Sequence, residues 1–335
     1  MMMIKNYTTT PKNLWTGRID DLEDRNSFRM HQIINFIDLN SLDNLQFDET
    51  NLNICFLGFC SDEGVKRNLG RIGAKLGPEY IRKEFANLPV TFNKNTCIYD
   101  AGDISCVNEN LEEAQEQLQY AIKILLDSQV FPIVLGGGHE LALGHYYGIH
   151  DHLVQNNESI GIINFDAHLD LRPAQEKGSS GTMFSQIAEF CKNNDHSFNY
   201  LCLGTQLSGN TISLFKRADS LGATYIHAKD ITESNLNSVS SQINEFIEKN
   251  NRIYLTLCTD VFNSAFAPGV SAMQPFGMNP ETILHLLKEI IKTEKVISFD
   301  IAEVSPRFDQ DNHTAKLAAV LIYGLINTLT EIHSF

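Results

Sequence analysis

The chain has 335 residues, 43% of them hydrophobic and 20% charged, with a net charge of −15. That composition is ordinary for a globular protein, and its acidity makes nucleic acid and anionic membrane surfaces poor partners. No apolar run approaches the ~20 residues that span a bilayer, and Met1-Met2-Met3-Ile4-Lys5-Asn6 lacks the apolar core of a secretory signal.

The seven cysteines are scattered, with no close CxxC pair. Most fall in strand-like runs such as Ile54-Cys55-Phe56 and Leu201-Cys202-Leu203. They read as small buried hydrophobes in a reducing compartment, so a cytoplasmic location is expected. No linker divides the chain, and single α/β domains of this size exist. The expected division is an N-terminal arm, residues 1–45, packed on one domain over residues 46–335.

The arm is polar and irregular, with one helix expected near 28–38. It holds the only tryptophan, Trp15, which should dock the arm back on the body. From residue 53 short apolar runs alternate with longer amphipathic ones. Strands are expected at 53–58, 130–135, 160–165, 199–204, 253–258 and 296–300. Helices are expected at 77–87, 110–127, 141–154, 182–192, 209–220, 236–248, 280–292 and 314–330. This alternation predicts a three-layer αβα fold around a mainly parallel sheet of about eight strands. Segment 64–77, with Gly64, Gly70, Gly73 and Gly77, reads as a loop that bends sharply or approaches something closely.

The chemistry gathers at strand ends, where ligands collect in such sheets. Ile160-Gly161-Ile162-Ile163 runs into Asn164-Phe165-Asp166-Ala167-His168-Leu169-Asp170. Residues 166, 168 and 170 alternate, so an extended chain would aim all three side chains alike. Two carboxylates and an imidazole at one point call for a cation, and oxygen with imidazole suits a fairly hard metal such as Mn²⁺. The competing reading is a polar strand end with aspartate capping the next helix. Val134-Leu135-Gly136-Gly137-Gly138-His139 places a histidine at a second strand end, and no Gly-Lys-Ser/Thr follows to make it a phosphate loop. A third end carries Cys258 and Asp260 ahead of Ala267-Pro268-Gly269-Val270-Ser271-Ala272. A fourth carries Glu303, which either caps the next segment or orients a cationic or amidine group by paired hydrogen bonds.

Together these residues resemble the ureohydrolase family, which includes arginase and agmatinase. The family's metal signatures look like Gly136-Gly137-Gly138-His139, Asp166-Ala167-His168-Leu169-Asp170 and Cys258-Thr259-Asp260, and the likeness covers nearly the whole chain. Within the family it is nearest to the branch that acts on formimidoylglutamate in histidine degradation. The marks of that branch include Trp15-Thr16-Gly17-Arg18, Asp62-Glu63-Gly64-Val65-Lys66-Arg67-Asn68 and Gly70-Arg71-Ile72-Gly73-Ala74.

The resemblance implies two Mn²⁺ per subunit. His139, Asp166, Asp170 and position 258 would hold one; Asp166, His168, position 258 and Asp260 would hold the other. Cys258 departs from the aspartate most of the family has there. A thiolate suits Mn²⁺ less well, so one metal, or Zn²⁺ or Fe²⁺, is the variant expectation. A shifted register would instead put Asp260 at the bridging place and Phe262 at the next. The catalytic candidates are Asp170 and Glu303. The substrate-binding candidates are Arg67, Arg172, Ser180, Thr182 and Glu303, with Arg71 also near. The family's histidine proton shuttle has no match, because Ser179-Ser180-Gly181-Thr182 stands in its loop.

The activity implied is metal-dependent hydrolysis of N-formimidoyl-L-glutamate to L-glutamate and formamide, by activated water attacking the amidine carbon. Two rivals stand beside it. One is an agmatinase-like or guanidino-acid hydrolase, and the other is a non-catalytic binding protein of the same fold with a damaged metal site. A small-molecule substrate and a homo-oligomer are expected, with no nucleic-acid or membrane partner.

Overall fold

The computed structural model describes residues 3–44, 47–156 and 158–333. Residues 1, 2 and 45 of the expected arm lie outside this range. In chain order the elements are β1 (Tyr7–Thr8), β2 (Asn35–Phe36), β3 (Leu52–Cys60), α1 (Glu63–Arg67), α2 (Gly77–Ala86) and β4 (Thr96–Ser105). Then come α3 (Leu111–Asp127), β5 (Phe131–Leu135), α4 (Leu141–Leu153), β6 (Ile160–Phe165), α5 (Met183–Asn193), β7 (Asn199–Thr205) and α6 (Ile212–Ser220). The chain finishes with β8 (Thr224–His227), α7 (Leu236–Glu248), β9 (Arg252–Cys258), α8 (Pro280–Ile291), β10 (Val296–Ala302) and α9 (His313–His333).

The strands form one sheet in the order β1-β4-β3-β5-β10-β9-β6-β7-β8, with β2 also pairing β4. Apart from the antiparallel β1–β4 pair, every pairing is parallel. The eight longer strands answer the expected number, and two short strands from the arm extend one edge. Central strands such as β6 are buried at every residue. That is why they read as unbroken apolar runs: a parallel sheet is covered on both faces. One cover holds α2, α7, α8 and α9, and the other holds α3, α4, α5 and α6. α9 is long and apolar enough to cross a membrane by length and composition alone, but 61% of its apolar window is buried, and it packs on α2 and α8.

Two body strands escaped the sequence pattern. β4 carries Asp100 and Asp103 in a half-buried alternation, and β8 is a four-residue edge strand with one buried residue. The expected helix at 28–38 is instead a 3₁₀ turn, Met30–Gln32, followed by β2. Its backbone groups are taken by distant partners: the Met30 N–H donates to Leu88 O at 2.9 Å and the Ile37 N–H to Asp100 O at 3.1 Å. The glycine-rich segment starts with the short helix α1 before it loops.

A buried polar node adds to these ties between the arm and the body. Trp15 stacks on Phe56 at 5.9 Å and meets the edge of Phe85 at 6.2 Å. Its indole N–H donates to Asp100 Oδ2 at 2.6 Å, and the Thr10 hydroxyl donates to Oδ1 at 2.7 Å. The fully buried Arg82 pairs with the same carboxylate at 2.8 and 2.9 Å. The ion pair joins α2 to β4, and the arm is tied to it by the Trp15 and Thr10 hydrogen bonds, each to a charged acceptor and so of about 1.5–3 kcal/mol.

Candidate active site

Four neighbouring strands, β5, β10, β9 and β6, deliver their carboxyl ends to one place. The turn after β5 brings His139. Gly137 makes that turn possible, because a Cβ there would sit 1.9 Å from Ser61 O. The turn after β6 brings Asp166, His168 and Asp170. Cys258 is the last residue of β9, and Asp260 lies in the 3₁₀ turn that follows. Glu303 comes directly after β10. Asp170 and Glu303 hold left-handed backbone, with φ of +47° and +68°. Non-glycine residues pay of order 1–3 kcal/mol for such geometry, and it clusters at functional sites.

The side chains converge. His139 Nδ1 stands 2.9 Å from Asp166 Oδ2 and 3.5 Å from Asp170 Oδ2. His168 Nδ1 stands 3.3 Å from Asp166 Oδ1 and 3.1 Å from Asp260 Oδ2. Ligand atoms of His139, Asp166 and Cys258 fall within 4.8 Å of one another, and so do those of Asp166, His168 and Asp260. Asp166 belongs to both groups and turns one oxygen toward each histidine. Cys258 therefore stands with His139 and Asp166, Asp260 joins the second group, and Phe262 is fully buried in the core. Cys258 stands in the His139 group alone, and the shifted register would need the buried Phe262 at the site.

These residues fit a metal pair. His139 Nδ1 and Asp260 Oδ1 are buried and make no hydrogen bond among the described residues despite their close neighbours, which is how ligand atoms sit around a shared centre. An unpaired buried polar atom is costly, and a cation would satisfy both. Burial opposes charge on His139, but the Asp166 and Asp170 carboxylates outweigh it and raise its pKa well above the ordinary value. His168 is raised against burial in the same way by Asp260 and Asp166. Asp166 lies below the usual carboxylate range, because both histidines outweigh its burial. Burial and the Asp166 charge push Asp170 up. Burial, with the Asp166, Asp260 and Glu303 charges, holds the Cys258 thiol well up.

A second layer orients His139. Its Nε2 meets Thr256 Oγ1 at 2.9 Å, and the Thr256 hydroxyl donates to Asp300 Oδ1 at 2.6 Å. Asp300 Oδ2 accepts from Tyr254 at 2.5 Å and contacts His145 Nδ1 at 2.6 Å. Such partners set the tautomer that leaves Nδ1 free for a ligand role. Sequence reasoning missed this chain; Thr256, two residues before Cys258 on the same strand face, was its available signal. Gln274, whose amide approaches His168 Nε2 at 3.4 Å, carried no signal at all.

The centre opens into a cavity of about 300 Å³ lined by His139, His168, Asp170, Arg172, Ser180, Cys258, Asp260 and Glu303, with Asn68 and Arg71 also in its lining. Two expected substrate contacts lie elsewhere. Arg67 faces the start of α3, where Glu63 and Glu112 hold it at 3.0 and 2.6 Å and Glu109 O and Gly178 O accept its remaining bonds. Acidic partners on two helices outcompete the cavity for that guanidinium. Thr182 is buried, bonded to Ser179 and Gln186, and holds the turn before α5. Arg71 reaches the cavity wall, but its guanidinium donates to Ser271 O and Val270 O and lies over Phe308. It anchors the Ala-Pro-Gly-Val-Ser-Ala loop.

Residues 52–327 match the arginase family. The chain belongs to that family. This arginase-family chain is 50% identical over 331 residues to a formimidoylglutamase of Clostridium tetani, covering 98% of both chains. It is 40% identical over 324 residues to a formimidoylglutamase of Lysinibacillus sphaericus, covering 96% of this chain and 98% of that one. Among solved structures it superposes on formimidoylglutamase from Bacillus subtilis with a TM-score of 0.76 at 20% identity, covering 93% and 94%. It also superposes on a Trypanosoma cruzi formiminoglutamase variant with Mn²⁺, with a TM-score of 0.74 at 25% identity, covering 87% and 97%. The expected arginase-like α/β fold is the fold the family chain has.

Proposed function

We infer that this chain hydrolyses N-formimidoyl-L-glutamate to L-glutamate and formamide, as a hydrolase of linear amidine C–N bonds in histidine degradation. The relatives of 40–50% identity over nearly full length bear that name. The observation that carries the chemistry is Asp166, whose two oxygens face two separate histidine-containing groups. His139, Asp166, Asp170 and Cys258 would hold one Mn²⁺, and Asp166, His168, Cys258 and Asp260 the other. When bound, the pair lowers the pKa of water and so supplies a nucleophile near neutral pH.

The chain's own residues do the positioning. Glu303 Oε1 accepts the His139 backbone N–H at 3.1 Å, while its buried Oε2 has no partner among the described residues. That free acceptor takes N–H donors of the substrate's amidine and turns its carbon toward the histidines. Burial, with the Glu140 and Asp260 charges, raises Glu303 well above the usual carboxylate range, and a cationic amidine reverses that effect. Asp170 lines the cavity beside Arg172, where its carboxylate can take a proton from the attacking water and pass it to the departing glutamate nitrogen. Among the described residues the Arg172 guanidinium has one hydrogen-bond partner, Asp170 at 3.5 Å, which leaves donors for a substrate carboxylate. Ser180 lines the same wall. We place the enzyme in the cytoplasm, as a homo-oligomer that binds neither nucleic acid nor membrane.

The decisive experiment measures formamide release by the Mn²⁺-loaded protein from formimidoylglutamate, against agmatine and a guanidino acid. Formimidoylglutamate should be the best substrate by a wide margin. Faster turnover of agmatine would overturn the substrate, and absence of turnover with metal bound would favour a binding protein.

A further inference from the structure

We propose that Asn68 is a specificity-determining residue, its side-chain amide standing beside the Arg172 guanidinium to receive one carboxylate of the substrate. This rests on the formimidoylglutamate reading above and deepens it.

Asn68 is the residue directly after α1, and it lines the cavity wall with Arg172 and Ser180. Its φ of −82° is open to any residue, and the end of α1 is closed by its backbone N–H. The helix end therefore gives no reason for an asparagine. No side chain or backbone group among the described residues hydrogen-bonds its amide, although it sits in a half-buried position next to a guanidinium.

The same small volume is shared by three segments. The Arg172 N–H donates to Gly181 O at 3.0 Å, and the Ser180 N–H donates to Gly64 O of α1 at 3.1 Å. A Cβ on Gly181 would stand 2.5 Å from Arg172 Nη1 and 2.9 Å from Asn68 Oδ1. Guanidinium and amide thus press on one face of Gly181, and only glycine leaves them room there. The other cation on that wall is already used, since Arg71 donates to two backbone carbonyls.

A dicarboxylate substrate with its amidine at Glu303 carries its negative groups away from the Asp166 cluster, toward this wall. Arg172 supplies charge and planar donors. The Asn68 amide adds neutral donors, so the wall gains hydrogen bonds without a second cation beside Asp170. A substrate with an amine in that place would meet a guanidinium and a donor amide, and would be rejected.

The test uses the Mn²⁺-loaded enzyme with two variants, Asn68→Ala and Asn68→Asp. The second keeps the shape of the side chain and so guards against misfolding. Each is assayed for KM and kcat on formimidoylglutamate and, independently of turnover, for binding of L-glutamate by calorimetry. Losing hydrogen bonds to a carboxylate should raise KM and the glutamate Kd about tenfold in Asn68→Ala. Asn68→Asp should raise both further, because its carboxylate pairs with Arg172 and repels the ligand. The Asn68→Ala penalty should vanish on one of two analogues, N-formimidoyl-4-aminobutyrate or N-formimidoyl-2-aminobutyrate, each lacking one carboxylate. Wild-type KM and Kd in both variants would overturn the proposal, as would an equal penalty on both analogues. Glutamate binding that depends on Asn68, in an enzyme that prefers another amidine, would sink the substrate reading and leave the role of Asn68 standing. A wild type that binds no glutamate would sink both.

Discussion

Glu303 holds the backbone of His139: its Oε1 accepts the His139 N–H while its buried Oε2 has no partner among the described residues. One carboxylate therefore links the turn after β5, which carries His139, to the cavity wall after β10. Glu303→Gln keeps the bond to His139 and loses the charge that an amidine needs. With Mn²⁺ content unchanged, kcat/KM should fall roughly ten- to a hundred-fold, the loss of about 1.5–3 kcal/mol from one charge-assisted bond. A variant as active as the wild type would remove Glu303 from substrate orientation.

Asp166 gives one oxygen to each histidine group. Asp166→Ala should lose both metals and all activity while far-ultraviolet circular dichroism stays near wild type. Wild-type metal content by atomic absorption would refute the ligand set. Cys258→Asp puts a hard oxygen where a sulfur stands and should tighten Mn²⁺ binding. Unchanged or weaker Mn²⁺ affinity would show that Cys258 is not a ligand.

Arg172 is the cavity cation with spare donors. Arg172→Ala should raise KM for formimidoylglutamate with the metals retained, lowering kcat/KM roughly ten- to a hundred-fold. Agmatine should remain a poor substrate of the wild type. A KM that does not move would place the carboxylate elsewhere on the wall.

The pH dependence of metal binding follows from the histidines. Without metal, the neighbouring carboxylates hold the pKa values of His139 and His168 above the ordinary 6.5. Protonated pairs of this kind stabilise the metal-free fold below pH 6.5, and that contribution is lost as pH rises through the raised folded values. Mn²⁺ must displace those protons, and the raised Asp170 and Asp260 act in the same direction. The rise in Tm on adding Mn²⁺ should therefore be larger at about pH 8.5 than at about pH 6.5. Calorimetry should record proton release on binding; an equal Tm gain at both values would contradict the imidazole assignment.

Local signals placed most of the sheet and the site. Continuous apolar runs such as Ile160-Gly161-Ile162-Ile163 mark strands buried on both faces, and the residues that end them must be tolerated at a sheet edge. Asp166, His168, Asp170, His139, Cys258, Asp260 and Glu303 could be picked out on that ground, and the fold does bring them to one cavity or its wall. What local pattern could not decide was partnership over distance. Arg67 and Arg172 look alike in the chain, yet Glu63 and Glu112 claim the first, while the second faces the cavity. The arm reads as helical at 28–38 until Leu88 and Asp100 take its backbone groups. β4 hides because its carboxylates are paid for by Arg82 and Trp15, side chains from elsewhere in the fold. Asn68 is unremarkable as a residue and becomes a candidate only where Arg172 and Gly181 fold against it. Periodicity and residue type are local quantities, whereas competition among hydrogen-bond partners is settled only when the whole chain is packed.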